Sequence, residues 1–406
     1  MRPVRRLLGP LGVARFRRPE LSLRKRRLAK SATVEDLRRI ARRRLPRGVF
    51  DYIDGGAEDE LTMAGNSEAY RRLTFSPRVL RDVSQVDISS SLLGRKLAYP
   101  LVLAPTGFTR IAHPEGELAV ARAAKRAGLP YALSTLGTRS IEEVAEVGSD
   151  RLWFQVYTWR DRDLVADLIE RAANSGYEAL CLTVDTAVLG RRERDVRRGF
   201  TLPPKIGLST LIDGVIHPGW SWAFLTSEPI IFANVAGDTS VGDGSDAISL
   251  AEYVGSQFDP ALSWDDVEWF RDHWAGPLVV KGIQSVDDAR IASDRGVDAI
   301  AISNHGGRQL DSAPATLDLL RSIAAAVGDK TEIICDGGVR RGSDIVKAIA
   351  LGADAVMAGR PYLYGLGAAG EPGVDQVLTN FASEMRRTMA LIGCTSVDDL
   401  GPEYIS

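Results

Sequence analysis

The sequence predicts an α/β fold, a (β/α)8 barrel, and three observations carry the prediction. Eight short apolar runs recur along the chain and end in polar or glycine-rich turns. Helical patterns that stop at glycine lie between most of them. Polar residues capable of chemistry stand at the carboxyl ends of the runs, the rim where such a barrel builds its active sites.

The elements follow in order. Thr33–Arg44 has a helical pattern, with Thr33 as cap and Asp36 at the third helical position. Leu45–Ala57 comes next, broken at Pro46 and carrying Phe50, Tyr52 and Ile53. The predicted strands are Leu101–Gly107, Tyr131–Gly137, Leu152–Thr158, Ala179–Asp185, Leu278–Ile283, Ala299–Ser303, Glu332–Gly338 and Ala355–Arg360. Each run is continuous rather than alternating, as expected of a strand covered on both faces. Between them, Glu115–Ala127 closes at Gly128, Asp161–Asn174 near Gly176 and Ser285–Arg295 at Gly296. Ala315–Val327 closes at Gly328 and Ser343–Leu351 at Gly352; glycine just past the last turn is a helix stop signal. Val374–Ile392 reads as a closing helix that ends at Gly393. A doubly wound sheet would alternate in the same way, but no strand here runs into a Gly-x-Gly-x-x-Gly turn.

One interval breaks the rhythm. From about Arg191 to Gly276 there is no regular strand–helix unit. It holds Trp220, Trp222, Phe224, Pro229, Ile230, Ile231 and Phe232, then a Gly/Asp/Ser-rich stretch from Gly237 to Asp246. Insertions this long serve as lids or binding loops or are disordered, and an aromatic cluster suits a membrane interface or, equally, the apolar underside of a lid or subunit contact. The organisation expected is a basic arm (1–30), a helical cap (31–95), a barrel (96–365) with an insertion at about 191–276, and a C-terminal helix (366–406).

Composition narrows the function classes. Eleven of the 51 basic residues but only one of the 53 acids lie in residues 1–30, so an acidic body carries a basic arm. Such an arm suits anionic lipid, nucleic acid or a transit signal, or is simply solvated. The three cysteines, Cys181, Cys335 and Cys394, have no metal-ligand spacing, and so sparse a count points to a reducing compartment. No metal is expected. No apolar run reaches the length of a membrane span, so any membrane contact is expected to be peripheral.

The most informative segment is Ser303-Asn304-His305-Gly306-Gly307-Arg308-Gln309-Leu310-Asp311. It sets an imidazole and a guanidinium three residues apart, with two glycines between. A base beside a carboxylate clamp is what chemistry next to an acid group requires. Thr106, Ser134, Gln155, Tyr157, Asp185, Lys281, Asp336 and Arg360 fall at the same rim. Asp336-Gly337-Gly338-Val339-Arg340 and Gly359-Arg360 follow the last two strands, the usual phosphate site of this fold. Pro105-Thr106-Gly107, Ser134, Gln155 and Thr183 could read the polar edge of a flat heterocycle. Lys281 could stabilise that ring when it turns anionic on reduction. Phosphate, polyol and heterocycle together describe flavin mononucleotide (FMN). Asp185 is a candidate partner for His305, and Tyr52 and Tyr157 are candidate donors to a small polar substrate.

With these segments in order, and with Asp51–Asp59 and Leu189-Gly190-Arg191-Arg192-Glu193, residues of roughly 33–400 resemble the FMN-dependent L-2-hydroxy-acid oxidoreductases. That family includes glycolate oxidase, lactate oxidase, mandelate dehydrogenase and bacterial L-lactate dehydrogenase. The resemblance implies His305 as base, with Asp185 as its partner. It implies Tyr157 on the substrate hydroxyl, Arg308 and Tyr52 on the carboxylate, and Arg192 as a second cation. Lys281 would stabilise reduced flavin. Pro105, Thr106, Gly107, Ser134, Gln155, Thr183 and Ser303 would lie at the ring and ribityl chain, and Asp336, Gly337, Gly338, Arg340, Gly359 and Arg360 at ribityl and phosphate. Gly107, where the family's oxidases usually carry Ala, leans the reading toward a dehydrogenase that passes electrons to a quinone or a cytochrome. An oxygen-using oxidase or lactate monooxygenase is the alternative. Leu136 in place of a bulky aromatic enlarges the pocket and Phe108 is expected to narrow it again, so L-lactate is the first substrate expected and an aromatic 2-hydroxy acid the second. A homotetramer is implied, in the cytoplasm or peripheral on the inner face of the cell membrane.

Two rivals compete. FMN-dependent isomerases share the barrel and phosphate site but do not need the His305/Arg308 pair. A nucleic-acid binder would use the basic arm, but such arms interleave aromatics with charge; this one has only Phe16, and the body is acidic.

Overall fold

The structure, a computed structural model, describes residues 22–198, 208–235 and 256–406. Most of the basic arm, Phe16 included, and the stretch Gly237–Asp246 lie outside the described residues. Eight parallel strands close into a barrel, here named β1 (Leu101–Leu103), β2 (Tyr131–Ser134), β3 (Leu152–Tyr157), β4 (Ala179–Thr183), β5 (Leu278–Ile283), β6 (Ala299–Ile302), β7 (Glu332–Asp336) and β8 (Ala355–Ala358). Each pairs with its sequence neighbour, and β8 returns to β1 through Val356 opposite Leu101. The chain is thus a (β/α)8 barrel.

The continuous apolar runs conceal two alternating sets. Leu101, Leu103, Leu133, Phe154, Val156, Leu180, Leu182, Val280 and Ile300 belong to the core shared with the surrounding helices. Val102, Ala132, Trp153, Cys181, Val279, Ala301, Ile334 and Met357 form a second cluster inside the barrel. Side chains alternate faces along a strand, so the next residues of the inward rows are Ser134, Gln155, Thr183, Lys281, Ser303 and Asp336. All six are buried, and they begin the polar layer of the site. At the opposite end a hairpin, Ser90–Leu92 with Arg95–Leu97, plugs the barrel. Its Leu92 and Leu97 are fully buried against the inner cluster, each worth roughly 1.5–3 kcal/mol. Leu93 N–H donates to Glu332 beside it (2.6 Å).

Several elements differ from the sequence expectations. Seven of the eight strands leave the ladder one to four residues early, because the chain turns outward there to build the rim loops. Leu45–Ala57 is a helix only over Arg47–Asp54, since Pro46 caps it. The closing helix begins at Glu371, and a separate helix, Arg360–Ala369, precedes it; Gly370 (φ 70°) makes the break. Helices at Leu61–Arg72, Ile141–Val147 and Asp266–His273 and the plugging hairpin had no clear sequence signal. Asp266–His273 is the barrel helix ahead of β5, so the irregular interval ends earlier than the sequence suggested. The predicted Thr33 cap of Val34–Arg44 is present and belongs to a capping box: Thr33 accepts from Asp36 N–H, and Asp36 accepts from Thr33 N–H.

The helical cap is locked over the rim by one buried carboxylate. Asp54 takes both arms of Arg38 (2.6 and 2.9 Å), the Tyr364 hydroxyl (2.7 Å) and Arg194 (3.0 Å). Burial disfavours its charge, yet these donors hold it down to about 2. The insertion contributes the helices Leu208–Ile216 and Pro218–Thr226. Its aromatics, one cluster in the sequence, divide in space. Trp220 donates to Ile111 C=O (2.7 Å) and Phe232 is buried, whereas Trp222 and Leu225 face outward.

Candidate active site

The site begins with backbone strain. His305, Gly306 and Gly307 all have left-handed φ values of 56°, 65° and 72°. A Cβ on Gly306 would meet the Arg360 guanidinium, and one on Gly307 the backbone of Met63. Any other residue would therefore be strained at both positions, most at Gly307, where the clash is with backbone. It leaves His305, a non-glycine residue in this region, as a strained outlier of the kind that marks functional sites. The turn holds the imidazole over the barrel mouth, where Nδ1 meets Asp185 Oδ1 at 2.9 Å. Asp185 reaches it because Gly282 (φ 120°) bulges out of β5; a Cβ there would strike Asp185. Burial raises the Asp185 carboxyl, but His305 and Lys281 outweigh it and hold the group below its ordinary range.

Beneath the histidine lies a buried charged network. Lys281 Nζ donates to Ser303 Oγ (2.9 Å) and pairs with Asp336 Oδ2 (3.2 Å). Ser303 Oγ donates to Asp336 (2.8 Å) and accepts from His305 N–H (3.0 Å). Burial alone would lower Lys281, but Asp336 and Asp185 more than offset it, so the side chain stays a cation.

These groups line or support a cavity of roughly 490 Å³. Pro105, Thr106, Gly107, Gln155, Thr183, Lys281, Asp336, Gly337, Gly338, Arg340, Gly359 and Arg360 face it, as do Tyr52, Tyr157, Arg192, His305 and Arg308. Ser134, Ser303 and Asp185 stand behind the lining and orient it. Ser134 Oγ donates to Gln155 Oε1 (3.0 Å), which fixes the amide. Gln155 Nε2 and Thr183 Oγ1 are then left buried with no partner among the described residues. Unpartnered buried donors are costly, and these two fit the polar edge of a ring bound in the cavity. Opposite, the helix Arg360–Ala369 starts at Gly359 with no side-chain cap, a backbone anion site. These residues fit FMN.

At the other edge Tyr52 lies beneath two cations, with Arg308 5.1 Å and Arg192 5.4 Å from its ring centre. Arg308 also donates to the carbonyls of Tyr52 and Gly55 (2.8 and 3.0 Å). Burial, then the Arg192 charge, push its guanidinium down to about 9, so an arriving carboxylate would relieve it. Arg192 leans on Asp195 (3.3 Å). Tyr157 is raised above the usual phenol range, by burial first and Asp185 second, and stays protonated. Arg360 spends three donors on the carbonyls of Ile53, Gly306 and Gly55, and so also ties the cap to the histidine turn.

The sequence reading missed some participants. Gln309 donates to the carbonyls of Asp185 and Val188 and accepts from Gly190 N–H, joining two rim loops. Asp311 accepts from the N–H groups of Asp59, Leu61 and Thr62. Both lie in the Ser303–Asp311 segment, so their proximity in sequence was the available signal. Phe108, expected to narrow the pocket, does not line it. It sits behind the wall, 5.7 Å from Phe232 and 6.2 Å from Tyr52. The phenylalanine rings at the cavity are Phe232 and Phe258.

The family model for FMN-dependent dehydrogenases matches residues 41–406. A Mycobacterium tuberculosis protein provisionally named an L-lactate dehydrogenase is 48% identical over 400 residues, covering 98% of this chain and 94% of the relative. An L-lactate oxidase of Nostoc sp. is 45% identical, covering 90% of this chain and 95% of its own. The crystal structure of the monotopic membrane protein (S)-mandelate dehydrogenase superposes with a TM-score of 0.89 at 40% identity, covering 93% and 99% of the two chains.

Proposed function

The chain belongs to the FMN-dependent dehydrogenase family, whose members oxidise 2-hydroxy acids with FMN, and from that premise we propose that it converts an L-2-hydroxy acid, L-lactate first, to the 2-oxo acid and hands the electrons to a quinone or a cytochrome. The observation that carries the reading is the His305–Asp185 pair (2.9 Å), whose imidazole faces the same cavity as Arg308, Arg192 and Tyr52.

Bound FMN supplies the acceptor for the two electrons that leave the substrate. The residues of the chain do the rest. Arg308 and Tyr52 hold the substrate carboxylate, and Arg192 adds a second cation. Tyr157, kept protonated, donates to the substrate oxygen. His305 takes the proton released in the oxidation, and Asp185 stabilises the imidazolium that results. Lys281, a buried cation at the end of β5, offsets the negative charge that develops on the cofactor side. Gln155 and Thr183 would hold the ring edge, and Asp336, Gly337, Gly338, Arg340, Gly359 and Arg360 would hold the ribityl phosphate.

A membrane-bound acceptor is favoured by the outer face of the insertion. Val215, Ile216, Trp222 and Leu225 are each more than half exposed, and among the described residues no helix is long and apolar enough to cross a membrane. Such a face suits peripheral seating in the lipid interface. The oligomer proposed is a homotetramer.

The test is anaerobic stopped-flow. L-Lactate should bleach the flavin absorbance rapidly, and a quinone should restore it faster than oxygen does. Reoxidation by oxygen at the faster rate would make the protein an oxidase or monooxygenase. No bleaching by any 2-hydroxy acid would overturn the proposal.

A further inference from the structure

We infer that the two anchored ends of the insertion, through Phe232 and Phe258, form a fixed aromatic wall that restricts the substrate to short side chains. The inference rests on the 2-hydroxy-acid reading and sharpens its substrate class.

The α-carbon of a 2-hydroxy acid has four substituents. The carboxylate is placed at Arg308 and Tyr52, the hydroxyl at Tyr157 and His305, and the hydrogen toward the flavin. The fourth, the side chain, must meet the remaining apolar lining, which includes Phe232, Phe258, Leu136 and Leu189. Phe232 reaches that lining beside the carboxylate end, through the ring series Tyr52–Phe108–Phe232. Phe258 reaches it beside the hydroxyl end, with its ring 5.2 Å from that of Tyr157.

Neither ring belongs to a free lid. Each is only 6% exposed, and each is held by the backbone. Arg110 donates to the carbonyls of Glu228 and Pro229 (2.6 and 3.1 Å). Ala233 N–H donates to Gly137 C=O (3.1 Å), and Asn234 Oδ1 accepts from Ile141 N–H (2.9 Å). On the other side, Phe258 bridges Trp159, and Arg160 N–H donates to Gln257 C=O (2.9 Å). The insertion thus returns to the rims of the first three strands at both ends and becomes part of the pocket. Because the rings are already packed on Phe108 and Tyr157, a substrate aryl group would have to displace one of them, whereas a methyl group would not.

The test compares flavin bleaching by L-lactate and L-mandelate in the holoenzyme and in Phe232→Ala and Phe258→Ala. Wild type should favour L-lactate by about 100-fold in bleaching efficiency, within the range a hydrophobic pocket achieves. At least one alanine variant should shift the ratio toward L-mandelate by about tenfold or more. Phe232→Leu and Phe258→Leu, which keep apolar bulk, should shift it less and serve where an alanine variant fails to fold. Equal efficiency of the two acids in wild type would overturn the inference. So would an unchanged ratio in all folded variants that still bleach with L-lactate. Absence of bleaching with every 2-hydroxy acid in wild type would instead remove the functional reading beneath it.

Discussion

At the amino end of the strands, Val102, Ala132, Trp153, Val279 and Ile334 fill the barrel with apolar side chains at 0% exposure. Two residues further along most of the same rows stand Gln155, Lys281 and Asp336, equally buried but charged or polar, with Gln155 lacking a partner at one atom. The first layer gains free energy by burial. The second costs free energy, because buried polar groups must be paired or left wanting. The same strands therefore hold the fold together at one end and store unmet binding capacity at the other. Substitutions at the two ends should consequently affect different measurements.

The largest effect is expected at the polar end. His305→Gln should retain FMN, with normal flavin absorbance, while turnover falls by about 10²–10⁴-fold, the usual worth of a general base. Near-normal turnover would show that the strained turn serves the fold instead. At the apolar end, Trp153→Ala should lower stability by about 3–5 kcal/mol, seen as a drop in denaturation midpoint, with kcat of the folded fraction little changed. A large loss of kcat in folded enzyme would mean that the two layers are coupled. Gln155→Leu divides the two roles most finely. It should weaken FMN binding about tenfold, read by flavin fluorescence on titrating apoprotein, while the apoprotein keeps or gains stability because an unpaired buried donor is gone.

A separate effect concerns the cap. The Asp54 carboxyl is held down to about 2 in the folded protein, below its ordinary 3.8. A carboxylate depressed on folding contributes stability above its unfolded pKa and loses it as pH falls through the folded one. Asp54 should thus supply on the order of 2 kcal/mol at neutral pH, lost between about pH 4 and pH 2. Urea midpoints across that window should fall steeply for wild type and more gently for Asp54→Asn. Parallel curves would mean that Arg38 and Tyr364 do not act through Asp54.

Much of this was legible without coordinates. The eight strands were readable because a barrel strand, covered on both faces, leaves a continuous apolar run. The histidine turn was readable because an imidazole, two glycines and an arginine lie within four residues. The hairpin plug and the helix Leu61–Arg72 were not. Leu92 and Leu97 look like ordinary apolar residues until the barrel floor they fill exists. Phe108 was misjudged as a pocket residue for the same reason: adjacency to Gly107 in sequence says nothing of which ring stands in front.

The sequence by itself determined the barrel, the FMN-dependent chemistry and the identity of the groups gathered at the rim, because periodicity, turn chemistry and side-chain type are local properties. Tertiary structure alone decided how Ser303 joins Lys281, Asp336 and the His305 backbone, and that Arg360 ties the cap to the histidine turn. It also decided that Phe232 and Phe258, from the described ends of the insertion, line the pocket. Those facts depend on hydrogen bonds and packing between residues far apart in the chain, which no local pattern encodes.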